Sequence, residues 1–519
     1  MNILDFFSKN QKLIILGCLL IAVLFFIDKT LSAATLFILF LTSVSLFFIG
    51  VLNINPERFE GQKDPKERKA ISVLFLIVFA LHILIVFFIY YTNFQPFSGG
   101  GGDYTAYQHG AELVAQRVSQ GNSSLQGTGF DHFYPVILGY IYAFTIPSML
   151  VGQLFNAWLA ALLIIFVYLI VRQIGGTSKD GFLTGLAAGF YPSLVFYGSL
   201  LLKDAMVVLL CMIGLLLTLK ITKNFSIFKF LCFFIILTGL IHFRFYVGYA
   251  LMFGFVISWF LASNLNIKKR AMYGIIMVFL LGFSPQATGS GYYGFKNLKS
   301  YLTFEKITFY RELVFVPPPQ RPQPQLEPSP QPSPMPTPTP TPQPEPTPVP
   351  TPTPKPVYRP EPSKVEPKPE PEVSLTRGRG SSVVIKTGLE NPITFVKNTS
   401  ISFVSVLFGP FPWQLTKISQ LLVLPEIIGW YVFMFFIVKG IVRFIEKRDI
   451  IVFPLVIFSI FVIGVLALFM SNFGVITRIR MPAFLALLCL FTFGLSKLEN
   501  NFLEKFFAKI PFWDKLFNL

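Results

Sequence analysis

Apolar runs of membrane-crossing length recur along most of this chain, separated by short charged loops. A helix needs about 20 such residues to traverse a hydrocarbon layer of roughly 30 Å. Lipid admits only helices or closed barrels, because every backbone polar group must pair internally. A barrel would show alternating segments of about ten residues, and none are visible. The chain therefore reads as an all-α polytopic membrane protein. A soluble fold could not cover the apolar surface of 519 residues that are 53% hydrophobic and only 13% charged. The formal charge of +17 lies in loops between apolar runs, where cytoplasmic retention of Lys and Arg puts it. It speaks for topology and against nucleic acid.

Spans are expected at 12–27, 31–53, 72–92, 151–171, 182–199, 205–220, 228–242, 245–263, 271–286, 418–438, 450–470 and 481–496, about twelve in all. The basic loop "NPERFEGQKDPKERK" marks the cytoplasmic side, which puts "TNFQPFSGGGGDYTAY" outside. Counting onward, "RQIGGTSK", "KITKNFSIFK", "NIKKR" and "VRFIEKRD" fall inside, and "LLKDA", "HFRFY" and "NFGVITRIR" fall outside. Both termini are then cytoplasmic, in a plasma (inner) membrane. The first helix reads as retained, since no small-residue cleavage site follows it. Segment 134–150 is apolar, yet a crossing there would invert every later loop. It is expected to lie at the outer face as a juxtamembrane or re-entrant piece, with a crossing helix pair as the alternative.

The organisation follows from these spans. Residues 1–70 form a helical hairpin and basic loop, and 71–290 form a core with a first outer loop at 93–133. An outer segment (291–316), a Pro-rich insert (317–372) and a further outer loop (373–417) lead to C-terminal spans at 418–497 and a cytoplasmic amphipathic tail at 498–519. Proline fixes φ and removes donors, so the insert is expected as an extracytoplasmic polyproline or disordered spacer or tether, with a Pro-rich docking ligand as the alternative. Cys18, Cys211, Cys232 and Cys489 all sit in apolar runs, without metal or disulfide spacing, and are expected to pack in the core.

Chemistry is sought where charge opposes topology. Asp103 follows four glycines and opens a stripe of Tyr104, Tyr107, Ala111, Val114 and Val118, the spacing of a short amphipathic helix. A carboxylate there can cap the helix and can also take a proton from a hydroxyl. Lys203 and Asp204 interrupt an apolar pair at its outer turn, and His242, Arg244, Arg478 and Arg480 collect on the face that basic residues avoid. Guanidiniums beside carboxylates suggest an anion, since Arg fits phosphate with a planar fork. Asp103 and Asp204 are expected to be catalytic, and Arg244, Arg478, Arg480 and Lys203 to hold a phosphate, with a salt-bridged or capping turn as the alternative for Lys203 and Asp204. His82, in mid-span, is expected as a buried packing contact. No cofactor is implied. His109, Glu112, Asp131 and His132 leave a divalent cation open, although their spacing is too irregular for a metal motif.

The outer-loop Asp103, the following "FDHFYPVI" and the acid of "LLKDA" together resemble GT-C membrane glycosyltransferases, especially bacterial relatives of protein O-mannosyltransferase and the lipid A aminoarabinose transferase. The resemblance implies a sugar moved from a polyprenyl phosphate to an extracytoplasmic glycan, lipid or protein hydroxyl, with inversion. It places Asp103 as the base, Asp204 as the second outer acid, and Tyr134 and Pro135 in the juxtamembrane aromatic–proline motif. Tyr104, Tyr107, His109 and His132 are expected beside the acceptor or the membrane edge. A polysaccharide polymerase or ligase and a lipid or solute transporter or flippase are the alternatives; a transporter would show internal repeats and midplane polar groups.

Overall fold

The computed structural model describes residues 28–51, 65–94, 103–122, 133–276 except 264, 392–414, 423–469 and 473–495, with isolated positions at 303 and within 499–509. The expected span 12–27, the end of 271–286, the glycines before Asp103, His132 and the Pro-rich insert lie outside these residues.

Among the described residues the elements are helices, with no strand. In chain order they are α1 (Lys29–Val51), α2 (Pro65–Thr92), α3 (Asp103–Ser119), α4 (Phe133–Phe144), α5 (Met149–Gln173), α6 (Ser178–Gly189), α7 (Pro192–Gly198), α8 (Asp204–Lys223) and α9 (Ile227–Ala262). After the insert come α10 (Pro392–Phe408), α11 (Leu424–Glu446), α12 (Phe453–Phe469), α13 (Phe473–Ile479), α14 (Met481–Leu488) and α15 (Phe491–Gly494). Seven described helices are long and apolar enough to cross a bilayer: α1, α2, α5, α8, α9, α11 and α12. The protein is an all-α membrane protein. Helix α5 is central, buried along most of its length against α2, α6 and α8.

Helix α9 is a hairpin. Arg244 leaves helical geometry at φ −151° and ψ 92°, and the rings beyond it return to those before it. Phe233 stacks on Phe255 at 4.5 Å, and Phe225 meets Trp259 at 5.5 Å. In a straight helix, residues that far apart in sequence would be separated by roughly 30–50 Å at 1.5 Å per residue. The two arms match the spans expected at 228–242 and 245–263, with Arg244 at the apex.

Two other expected spans are broken. The 182–199 span divides into α6 and α7 where Pro192 starts a new helix at Tyr191, and the 481–496 span divides into α14 and α15. Proline has no N–H to continue a preceding helix, so it opens one instead. Helix α4 has 12 residues, about 18 Å, which is too short to cross a bilayer; it lies against α3. The 373–417 segment, expected as loop, contains the apolar 17-residue α10, packed on α12. Helices α11 and α15 approach backbone to backbone: a Cβ on Gly494 would overlap the Phe436 carbonyl oxygen, and one on Gly440 that of Leu490. Only glycine permits that contact.

These helices define two ends. At one, Glu67 pairs with Arg172 at 2.5 Å, and Arg68, Lys69, Lys220, Lys223, Lys268, Lys447 and Arg448 gather nearby at helix termini. At the other lie the starts of α3, α5 and α8, the apex of α9 and the end of α13.

An acid–arginine cluster as candidate functional site

Four elements deliver charge to this second end. Asp103 is the first residue of α3, Asp204 the first of α8, Arg244 the apex of α9, and Arg478 stands in the last turn of α13. Asp204 is 2% exposed. Arg244 Nη2 donates to its Oδ1, and Arg478 Nε stands 3.0 Å from its Oδ2 in an ion pair without hydrogen-bond geometry. Arg478 Nη2 donates at 2.9 Å to Asp103 Oδ2, joining residues 375 positions apart. Arg478 thus bridges a buried carboxylate and one whose side chain is 53% exposed. Arg244 Nη1 also donates to the Tyr246 hydroxyl at 2.8 Å.

Lys203 precedes Asp204 at the same turn. Burial, reinforced by Arg244, pushes its ammonium down to about 8. Two carboxylates against two guanidiniums and an ammonium leave one positive charge in excess while Lys203 is protonated. Such a site attracts an anion. Tyr107, inward on α3, has its phenol pushed up to about 12 by burial and by Asp103, so it remains protonated.

A shell of amides and phenols holds the cluster from behind. Tyr134 donates at 2.8 Å to Asn156 Oδ1, and Asn156 Nδ2 donates at 2.5 and 2.6 Å to the carbonyls of Leu200 and Leu202. Tyr142 donates to Gln108 at 2.5 Å, and Gln108 donates to Glu112 at 2.7 Å. On the far side, the Tyr197 hydroxyl lies 3.3 Å from Thr477 Oγ1 and from the Gly474 carbonyl, one turn from Arg478. Sequence reading did not find Asn156, Gln108, Tyr142 or Tyr197. Tyr246 stands two positions after Arg244 in "HFRFY" and could have been found.

Several expected contacts lie elsewhere. Arg480, expected in the phosphate clamp, is 1% exposed and turned away. It reaches Glu426 at 3.4 Å and the carbonyls of Val406 and Gly409, and covers the Phe484 ring at 4.4 Å. Glu426 also accepts from Tyr191 at 2.7 Å and Ser193 at 2.6 Å. That buried network joins α7, α11 and α14, and two residues of α-helical rise and rotation separate Arg480 from Arg478. Tyr134 and Pro135 are buried, so neither is at hand for an acceptor; Tyr104 is half-buried and His109 exposed. His242 packs edge-on against Phe133 at 5.1 Å. His82 is buried, its Nδ1 2.9 Å from the Val78 carbonyl and its ring against Gly198. Cys211 and Cys489 are buried and Cys232 half-buried. Among the described residues no group of three His, Cys, Asp or Glu side chains could hold a metal ion.

No protein family, curated protein or solved structure matches this chain.

Proposed function

We propose that this protein is a membrane glycosyltransferase that moves a sugar from a polyprenyl phosphate to an acceptor hydroxyl at the non-cytoplasmic edge of the bilayer. One observation carries the reading: Arg478 is shared between a buried carboxylate and an exposed one, beside a lysine and a second arginine. Buried ion pairs contribute little net stability, so a bracing role alone accounts poorly for several of them at one helix end. An apolar groove of about 680 Å³ between Phe408, Trp413, Tyr431, Met434 and Val438 offers space for part of a lipid chain. The buried charged side chains among the described residues lie near helix ends, which favours an interfacial enzyme over a transporter with midplane sites.

In the proposed step, the donor phosphate takes Arg478 from Asp103 and is held also by Arg244 and Lys203. The freed Asp103 accepts the proton of the acceptor hydroxyl as its oxygen bonds to the anomeric carbon. The bond from that carbon to phosphate oxygen breaks, and the lipid phosphate leaves with its electron pair, inverting the centre. Counting about twelve crossings places both termini and the lysine-rich helix ends in the cytoplasm.

The test is Asp103→Asn in membranes with normal insertion, assayed for sugar transfer from polyprenyl-phosphate sugars. Transfer should fall by about 10²–10⁴, the range for a lost general base. Undiminished transfer would remove Asp103 from the reaction.

A further inference from the structure

We infer that Asn156 is a positioning residue that holds the Lys203–Asp204 turn in place through its side-chain amide, with Tyr134 orienting that amide. The inference rests on the reading of the cluster as an anion site, and its test does not depend on glycosyl transfer.

Helix α7 ends at Gly198, and α8 starts at Asp204. The chain between them must turn inside the protein, where carbonyls without partners are costly. Leu200, Leu201 and Leu202 are all buried, so water does not provide those partners. The Leu202 N–H donates to the Leu200 carbonyl at 2.9 Å, and Asn156 supplies a second donor there and one to the Leu202 carbonyl. Asn156 is fully buried in the second turn of α5, and its two N–H groups have carbonyls 44 and 46 positions further along the chain. The amide could be placed either way round by shape alone, but only one orientation points hydrogens at two carbonyls. Tyr134 selects that orientation. Burial pushes its phenol well above the ordinary value, so it stays a donor, and its proton goes to Asn156 Oδ1. The Tyr107 ring closes over Tyr134 edge-on at 5.2 Å.

What the turn carries is the chemistry of the site. Asp204 is fixed from the front by Arg244 and Arg478, whereas the backbone behind it is fixed by Asn156. If Asn156 is removed, the Leu202 carbonyl loses its side-chain donor and the Leu200 carbonyl keeps the Leu202 N–H at 2.9 Å. Lys203, one residue from Leu202, then leaves the half-buried place beside Arg244 that discourages its charge.

The experiment is competitive chemical labelling of Lys203 against pH on the purified full-length protein, comparing wild type with Asn156→Ala, Tyr134→Phe and Ser45→Ala. Ser45 accepts the Trp158 indole N–H at 2.7 Å and so controls for loss of a hydrogen bond to α5 away from the turn. The wild-type midpoint should lie near 8. Asn156→Ala should raise it by about one unit or more toward the free-lysine value; Tyr134→Phe should raise it less, and Ser45→Ala should leave it in place. An unchanged midpoint in Asn156→Ala would overturn the assignment. Should that variant fail to fold, an unchanged midpoint in Tyr134→Phe does the same. A shifted midpoint in a protein that transfers no sugar would retain the positioning role and discard the glycosyltransferase reading; transfer with no shift would do the reverse.

Discussion

Arg478 has two carboxylate partners of different exposure, and their substitutions should have different consequences. Asp204 neutralises Arg244 in a buried setting, where removing one partner of an ion pair costs roughly 3–5 kcal/mol. Asp204→Asn should therefore lower the melting temperature in detergent markedly. Asp103 is half exposed, and a pair of that kind contributes at most about 1 kcal/mol. Asp103→Asn should melt close to wild type, yet it removes the negative charge that holds Arg478 Nη2 and competes with an anion for it. Anion affinity should then rise while transfer falls, a pair of opposite signs that general damage to the site would not produce. Lys203 adds a pH dependence. It is charged below about 8 and neutral above, so affinity for sulfate, whose own charge is constant in this range, should hold below pH 8 and decline above it. Lys203→Arg should abolish the decline. A midpoint near 10.4, the ordinary lysine value, would place Lys203 outside the half-buried turn.

At the scale of helices, the difference between glycines is a direct check on packing. Gly494 on α15 has the Phe436 carbonyl where its Cβ would be, whereas Gly429 on α11 has nothing within 4 Å. Gly494→Ala should destabilise by roughly 1–3 kcal/mol through overpacking, and Gly429→Ala should gain up to about 1 kcal/mol in helix propensity. Thermal unfolding of both variants measures this. The same contrast explains what could be read from sequence. The helices α2, α5, α8 and both arms of α9 are legible because about 20 apolar residues are a one-dimensional signal. Helix α10 is not, since Lys397, Asn398, Thr399 and Ser400 interrupt its apolar run. Asp103, Asp204, Arg244 and Arg478 stood out as charges on a face that should lack them. Asn156 did not, because an amide within "LFNAWLAALL" carries no local sign of carbonyls more than forty positions away. Arg480 gave the same signal as Arg478, and only packing distinguishes a guanidinium turned to Glu426 from one turned to Asp204.

For the molecule as a whole, the unequal charge of its two ends predicts orientation. Arg68, Lys69, Lys220, Lys223, Lys447 and Arg448 lie at the end away from the cluster, and short loops rich in such residues stay in the cytoplasm. With Cys18, Cys211, Cys232 and Cys489 replaced, a cysteine at Asn122, exposed after α3, should react with a membrane-impermeant maleimide in intact cells. One at Arg448 should react only after permeabilisation. The same reagent decides the path of the chain around the insert, because α10 packs on α12 and its last turn meets Arg480 at the cluster end. By the count of crossings, a cysteine at Thr351 is labelled from outside, and α10 then enters and leaves on one side. Labelling at Thr351 only after permeabilisation would mean that α10, about 25 Å long, carries the chain across. The expected crossing at 271–286 would then fall, while the placement of Asp103, Asp204, Arg244 and Arg478 at one end would stand.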